Sequence, residues 1–448
     1  MDIDQRFNRV GLYTLGCKVS QYETEAVAER FSSHGFAVCD FSDVCDFYVV
    51  NTCTVTAESD RKCRQLIRRA AKTNPECIIL VMGCYSQRAS ARIAELPRVF
   101  GVVGTENKLS LVEIAENMRA DILSGRVPTQ YVSVTDLENA TFEPMCIRHA
   151  PRTRAYVKIE DGCDCRCTYC AIAPARGSVR SKLPSDVIDE VLGLYKNGTR
   201  EIVLTGIEIG SYGKDFADGY GLAELLSELD ADGCAERIRL GSLAPELVTR
   251  EFVDKIAGLK VLAPHFHLSL QSGSDSVLAR MRRRYNSAMA MAVVDYIREK
   301  IPRATFTADL MVGFVGEGED DFDRTVDFVR RARLLDAHVF AYSRREGTPA
   351  ALYEGQVDEK TKRARSEKLI KVKNEVRDSV LDEIVACGAP LSVIAENEDG
   401  AGYYTAHSDT YVEVKFKSAR SNLSGEMVDV VPVSHKNGVV YAKLINEI

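Results

Sequence analysis

Short apolar runs alternating with helical stretches fill the first third of the chain. Val10 to Leu15, Phe47 to Asn51, Ile78 to Met82 and Phe100 to Val103 read as buried parallel strands, and Glu23 to Ser32, Asp60 to Lys72 and Leu109 to Met118 carry helical periodicity between them. The pattern predicts an open, doubly wound parallel sheet. Residues 124–150 lose periodicity and contain Pro128 and Pro144, as a linker does. Alternation resumes with strands expected at Ala155–Glu160, Glu201–Thr205, Arg237–Leu243, Phe266–Leu270, Phe306–Val312 and His338–Tyr342. Six such units predict a partial, open β/α barrel with its site at the carboxyl ends of the strands. Residues 358–385 form one basic helical segment. Leu391–Glu396, Thr410–Phe416, Glu426–Val431 and Val439–Leu444 then alternate as the strands of a small closed β-barrel, with Pro432 expected where the third of them ends. The expected organisation is therefore α/β: an N-terminal sheet domain at 8–123, a linker at 124–148, a barrel core at 149–357, a basic helical connector at 358–385 and a β-barrel at 386–448.

The chain has 448 residues, enough for several domains. Its start lacks an apolar signal core and no run of ~18 apolar residues occurs, so neither export nor a membrane partner is expected and the cytoplasm is the expected location. Fourteen Cys in such a chain argue for reduced thiols and metal ligation, not disulfides. The net charge of −7 excludes an indiscriminate nucleic-acid coat, yet positive charge clusters at Arg61–Arg69, Arg280–Arg284 and Lys360–Arg377. Such runs are often only solvated faces; three of them raise the expectation of a bound polyanion.

Cys163, Cys167 and Cys170 are spaced C-x3-C-x2-C directly after the first barrel strand. Three thiolates on one loop can hold three irons of a [4Fe–4S] cube and leave the fourth iron open to chelate S-adenosylmethionine. A structural zinc or an electron-transfer cluster would want a fourth protein ligand, and none follows at a regular spacing. Cys165 is left over in this register. Cys17, Cys53 and Cys84 each follow a strand of the N-terminal sheet, which places all three at its carboxyl edge, where a second [4Fe–4S] cluster with an open iron would fit. Cys39, Cys45, Cys63 and Cys77 fall in helix or pre-strand positions and read as small buried hydrophobes.

Leu15-Gly16-Cys17-Lys18-Val19-Ser20-Gln21-Tyr22-Glu23, Asn51-Thr52-Cys53-Thr54, Gly83-Cys84-Tyr85, the Cys163 loop with Arg176-Gly177, Leu268-Ser269-Leu270-Gln271-Ser272-Gly273 and Gly313-Phe314-Val315-Gly316-Glu317 together resemble the radical-SAM methylthiotransferases. The signature after Cys17 is similar to the branch that acts on N6-threonylcarbamoyladenosine beside the tRNA anticodon. The resemblance implies a radical-SAM cluster on Cys163, Cys167 and Cys170, an auxiliary cluster on Cys17, Cys53 and Cys84 that holds or supplies sulfur, and a C-terminal barrel of the TRAM type. One S-adenosylmethionine would yield the radical and a second the methyl group. The implied partners are the tRNA anticodon stem-loop and an electron donor of flavodoxin or ferredoxin type; the sulfur donor is not implied. C2 of adenine is an unactivated aromatic carbon, so exchange of its C–H for C–S needs such cofactor chemistry.

Glu208, after the second barrel strand, and Gln271 with Ser272, after the fourth, are candidates to contact the cofactor. Arg176 and Arg180 are candidates to meet a cofactor carboxylate or an RNA phosphate. The chain departs from the family pattern at Ser20, Glu208, Ala244, Val315 and Gly318, and the Ala244 change removes a carboxylate near the expected site. The 388–448 segment carries more acidic than basic side chains, so phosphate binding is expected from the 360–377 helix and the Arg280–Arg284 run. The same chemistry on a ribosomal protein, or a non-catalytic Fe–S RNA-binding protein, are the alternative readings; intact Cys triads argue against the second.

Overall fold

The computed structural model describes residues 7–150 and 153–445. The chain divides into two compact units. One is built from Met1–Ile147, Asp161–Lys182 and Ser343–Thr348, the other from Arg148–Glu160, Leu183–Tyr342 and Pro349–Ile448. The Cys163–Cys170 loop thus belongs to the same unit as the N-terminal sheet.

That first unit is organised by β1 (Arg9–Thr14), β2 (Ala37–Cys39), β3 (Phe47–Thr52), β4 (Ile78–Gly83), β5 (Val99–Val103) and β6 (Tyr131–Ser133), all parallel in the order β2-β1-β3-β4-β5-β6. β3 and β4 are buried at every position, which is why Phe-Tyr-Val-Val and Ile-Ile-Leu-Val-Met read as unbroken apolar runs. The edge strands β2 and β6, each three residues long and mostly exposed, are not announced by the apolar pattern; β6 gives the linker region a strand. The order reverses between β1 and β3, and a crevice for ligands opens at the carboxyl ends of strands flanking such a switch point. Helices Lys18–Ser33, Ala57–Thr73, Cys84–Ala94 and Leu111–Leu123 connect the strands.

The second unit begins its sheet with β7 (Arg154–Lys158). The chain then runs through a two-stranded ribbon of β8 (Glu160–Asp161) and β9 (Arg180–Ser181), and the β/α alternation continues with β10 (Glu201–Thr205), β11 (Arg237–Leu240), β12 (Ser242–Leu243), β13 (His265–Gln271), β14 (Thr305–Val312) and β15 (Asp336–Ala341). The expected third barrel strand is split at Gly241, so β7, β10 and β11 form one parallel sheet and β12 to β15 another, with a bridge between Ile238 and Leu262. Gly241 donates to the Leu204 carbonyl at 2.8 Å, and a Cβ there would stand 2.9 Å from that same oxygen. Only glycine tolerates that approach.

β16 (Leu391–Glu398), β17 (Tyr403–Ser408), β18 (Glu413–Lys417), β19 (Met427–Lys436) and β20 (Val439–Leu444) close a five-stranded barrel around Val393, Ala406, Val414, Phe416, Val430 and Val440. β17 adds a strand to the four expected. Pro432 lies inside β19 and not at its end; the β19–β20 register shifts between Pro432 and Ser434, so the missing N–H falls at an irregularity. A buried ionic cluster ties this barrel to the parallel strands: Arg239 donates to the Ser408 and Asp409 carbonyls, both at 3.0 Å, Arg237 to Ser392 Oγ at 2.8 Å, and both pair with Glu201. Burial opposes ionisation of Glu201, yet Arg239, Arg154 and Arg237 outweigh it and bring the carboxyl down to about 2.

The helix Glu359–Cys387 starts at the Asp358 cap, which accepts from Thr361 N–H at 3.0 Å, and stops at Gly388 in the left-handed conformation. Its basic residues are largely committed inside the unit. Arg365 donates to the Glu317 carboxylate at 2.8 Å, Lys368 reaches Asp323 at 2.9 Å, Lys373 pairs with Asp336, and Lys362 is buried. The helix packs on β15, on helix Glu319–Ala332 and on β19. In the Arg280–Arg284 run, Arg280 pairs with Asp321 at 3.3 Å and Arg283 donates to the Ser269 carbonyl at 3.2 Å. Many of the cations expected to grip phosphate are thus engaged with carboxylates or carbonyls of their own unit, while Lys360, Arg363 and Lys371 are exposed.

Candidate metal centre

Two thiols of the first unit stand at helix starts. Cys17 is the residue that caps Lys18–Ser33, and Cys84 opens Cys84–Ala94. The backbone that delivers them is specific: Gly83 holds φ +104°, and a Cβ on it would meet the Thr52 carbonyl at 2.6 Å; Gly16 holds φ +144° with Ser20 Oγ 2.8 Å from where its Cβ would lie. Asn51, wholly buried, donates to the Ser20 carbonyl at 2.8 Å and to Thr24 Oγ1 at 3.1 Å, which pins the end of β3 to the helix that Cys17 caps. Cys53 follows β3, and Val55 N–H points to its sulfur at 3.5 Å.

The three thiols sense one another. Burial pushes the Cys84 thiol up to about 12; Arg176 opposes that, and Cys17 and Cys53 reinforce it. Burial likewise raises Cys53, with Cys17 adding to it. Ser20, one of the departures from the family pattern, places its hydroxyl 3.8 Å from the Cys17 sulfur. Among the described residues no three His, Cys, Asp or Glu side chains are close enough to share one bare metal ion. The donor set is all sulfur, and although burial disfavours free thiolates at Cys53 and Cys84, iron would take up that charge, so the set fits an iron–sulfur group.

The loop that carries Cys163, Cys167 and Cys170 is tied by backbone: Cys163 N–H donates to the Gly177 carbonyl at 3.0 Å and Cys170 N–H to the Cys167 carbonyl at 3.1 Å. Two further amides face sulfur, Cys165 N–H toward Cys163 at 3.4 Å and Ile172 N–H toward Cys170 at 3.3 Å. Such donors stabilise thiolates. Cys167 is buried, and Cys163, Cys165 and Cys170 are half-buried. Cys45, Cys63 and Cys77 are buried within the sheet–helix core and raised to about 11, 12 and 11 by burial, as inert structural thiols are.

Arg176 lies elsewhere than expected. Its guanidinium is fully buried: Nε donates to Cys84 Sγ at 3.2 Å, Nη1 to Glu23 at 2.5 Å and to Asp161 at 3.0 Å, and Nη2 to Glu23 at 3.1 Å. Its N–H groups are thus committed within the unit and not to a carboxylate or phosphate from outside. Arg180 is similarly enclosed, donating to the Arg176 carbonyl at 2.7 Å and to Glu106 at 2.9 Å. Lys108, also fully buried, stands 3.3 Å from Glu23 and 3.1 Å from Glu143. Burial alone would disfavour the protonated Arg176, but Asp161, Cys84 and Glu23 hold it well above its ordinary value. Sequence reasoning missed Glu23, Asp161 and Lys108. The signal was available for Glu23, a carboxylate on the same helical face as the buried Val19, Tyr22, Ala26 and Val27.

The remaining candidates lie in the second unit at the carboxyl ends of strands. Glu208 follows β10; its N–H donates to Glu160 Oε2 at 2.8 Å and its own Oε1 accepts from Ala244 N–H at 2.9 Å. Two departures from the family pattern therefore meet at this hydrogen bond. Gln271 ends β13 with φ +61°, and its buried Oε1 finds no hydrogen-bond partner among the described residues. An orphaned acceptor beside a strand end suits an amino-bearing cofactor. Ser272 instead organises the turn, its Oγ 3.2 Å from Thr325 Oγ1 and accepting from Ser274 N–H at 3.1 Å.

Comparison with known proteins agrees with this picture. Residues 9–104 match a family described as uncharacterized protein family UPF0004 and residues 157–329 match the Radical SAM superfamily. The chain is 38% identical over 94% of its length to a threonylcarbamoyladenosine tRNA methylthiotransferase MtaB of Bacillus subtilis, covering 93% of that protein, and 36% identical over 92% to the one of Thermotoga maritima, covering 92%. A tRNA-2-methylthio-N(6)-dimethylallyladenosine synthase of Carboxydothermus hydrogenoformans is 32% identical over 82%, with 83% of it covered. In fold, the chain resembles the radical S-adenosylmethionine methyltransferase TsrM of Kitasatospora setae, with a TM-score of 0.57 at 17% identity over 77% of each chain.

Proposed function

The chain belongs to the radical-SAM methylthiotransferases, in the threonylcarbamoyladenosine tRNA branch, and from that premise we propose that it converts N6-threonylcarbamoyladenosine beside the tRNA anticodon to its 2-methylthio derivative. The observation that carries the reading is the placement of two Cys triads in one compact unit, Cys17, Cys53 and Cys84 at a sheet's carboxyl edge and Cys163, Cys167 and Cys170 on one loop. Two [4Fe–4S] clusters with S-adenosylmethionine supply reductive radical formation, sulfur and methyl chemistry when bound. The protein's residues do the rest. The Cys163–Cys170 loop turns the Cys165 and Ile172 amides toward its own sulfurs, and Cys17, Cys53 and Cys84 would hold the second cluster at the carboxyl edge of the sheet.

For the tRNA we place the binding surface on the first unit. Helix Ala57–Thr73 exposes Lys62, Arg68 and Arg69, with Arg61 paired to Glu58, and beside it a cleft of about 500 Å³ is lined by Arg88, Arg92, Arg344 and Arg345 together with Asp60 and Glu346. Arg64 joins helix and cleft by donating to Tyr85 Oη at 2.8 Å. An excess of cations along one face suits a phosphate backbone. A cytoplasmic setting and a flavodoxin- or ferredoxin-like electron donor accompany this reading; no helix among the described residues is long and apolar enough to cross a membrane.

The test is anaerobic reconstitution with iron and sulfide, incubation with S-adenosylmethionine, a reductant and tRNA carrying the threonylcarbamoyl group, then mass spectrometry of the nucleosides. The expected product is the 2-methylthio nucleoside. Modification only of isopentenyladenosine, or only of a ribosomal protein, would overturn the substrate assignment.

A further inference from the structure

A buried guanidinium aimed at a sulfur is a demanding arrangement, because an arginine out of water must be matched by carboxylates held in place. Arg176 is matched in this way by Glu23 and Asp161, and Lys108 with Glu143 extends the cluster, so the side chain has a single orientation. That orientation directs the Nε N–H at Cys84 Sγ, 3.2 Å away. Salt-bridge stability alone does not explain it: a guanidinium clamped only for packing has no need to aim a donor at a cysteine. Arg176 also ends the short helix Ile172–Arg176, which begins two residues after Cys170. One short helix therefore separates the radical-SAM loop from a hydrogen bond to the other triad.

We propose that Arg176 is a positioning residue that sets the reduction potential of the auxiliary cluster through its directed N–H···S bond to Cys84. The proposal rests on the reading of Cys17, Cys53 and Cys84 as cluster ligands. Hydrogen bonds to cluster sulfurs and nearby positive charge both stabilise the reduced, more negative state and so raise the potential. The surrounding carboxylates offset the charge of Arg176 in the far field, which leaves the short-range N–H as the dominant influence at Cys84. The consequence is an auxiliary cluster easier to reduce than one without that donor.

The experiment uses the full-length chain with Cys163, Cys167 and Cys170 changed to Ala, so that a single cluster is loaded anaerobically, and follows its midpoint potential by a dye-mediated titration read by EPR and absorbance. Arg176→Gln is expected to retain the cluster and to shift the midpoint to a more negative value. Arg176→Lys, which keeps the charge and loses the guanidinium geometry, is expected to shift it in the same direction by less; if the Gln variant does not fold, the Lys variant decides. A midpoint unchanged in the decisive variant overturns the proposal while leaving the cluster assignment intact. Failure of the parent triple variant to load any cluster would instead remove the ligand reading itself, and the proposal with it.

Discussion

Glu201 sits among three guanidinium groups, and its ionised state is part of the fold. Its carboxyl lies at about 2 against an ordinary 4.5. A carboxyl whose folded value is depressed adds stability that is complete above the unfolded value and is lost as pH falls toward the folded one. The urea midpoint of the native protein should therefore fall more steeply than that of Glu201→Gln as pH is lowered from 4.5 toward 2; parallel curves would contradict the role. At neutral pH the Gln variant should lose about 3–5 kcal/mol, since it leaves buried arginines unmatched. Among the cluster candidates, replacing Cys163, Cys167 or Cys170 by Ala should abolish reductive cleavage of S-adenosylmethionine, and Cys165→Ala should retain it. Cleavage lost in Cys165→Ala but kept in Cys167→Ala would shift the register of the loop. The cysteines were legible because spacing and position after strands suffice to find them. Arg176 was legible as important but not as buried, because its partners Glu23 and Asp161 lie 153 and 15 residues away in sequence.

The basic helix Glu359–Cys387 shows the same limit at the level of elements. Its extent followed from sequence to within two residues, whereas the destination of its cations did not, because the matching carboxylates Glu317, Asp323 and Asp336 come from other elements. Arg365→Ala should cost about 3–5 kcal/mol in urea unfolding by leaving the buried Glu317 unpaired. Neutralising the exposed Lys360, Arg363 and Lys371 should leave tRNA affinity and its salt dependence unchanged; a reduced salt slope would restore the helix as an RNA-binding element. Central strands β3, β4, β10 and β14 were readable because both faces are largely buried. Short edge strands β2 and β6, and β17 with its Tyr-Tyr-Thr-Ala-His-Ser sequence, lack such a run, since one face meets solvent.

Across the whole molecule, tRNA recognition and the two cysteine triads make separable demands. If the face of helix Ala57–Thr73 and the neighbouring cleft grip phosphates, changing Arg88, Arg92 and Arg344 to Gln together should weaken tRNA binding and lower the slope of log K against log salt by about 0.7–0.9 for each phosphate no longer neutralised. Cluster content and tRNA-independent cleavage of S-adenosylmethionine should not change, and an unaltered slope would exclude the cleft. Under the proposed function the triads would divide the labour, with the radical made at Cys163, Cys167 and Cys170 and the sulfur handled at Cys17, Cys53 and Cys84. The decisive experiment follows the products formed by the reconstituted Cys17→Ala, Cys53→Ala, Cys84→Ala triple variant with S-adenosylmethionine, reductant and substrate tRNA. 5′-Deoxyadenosine should still form while no methylthio nucleoside appears, and full methylthiolation by that variant would refute the division.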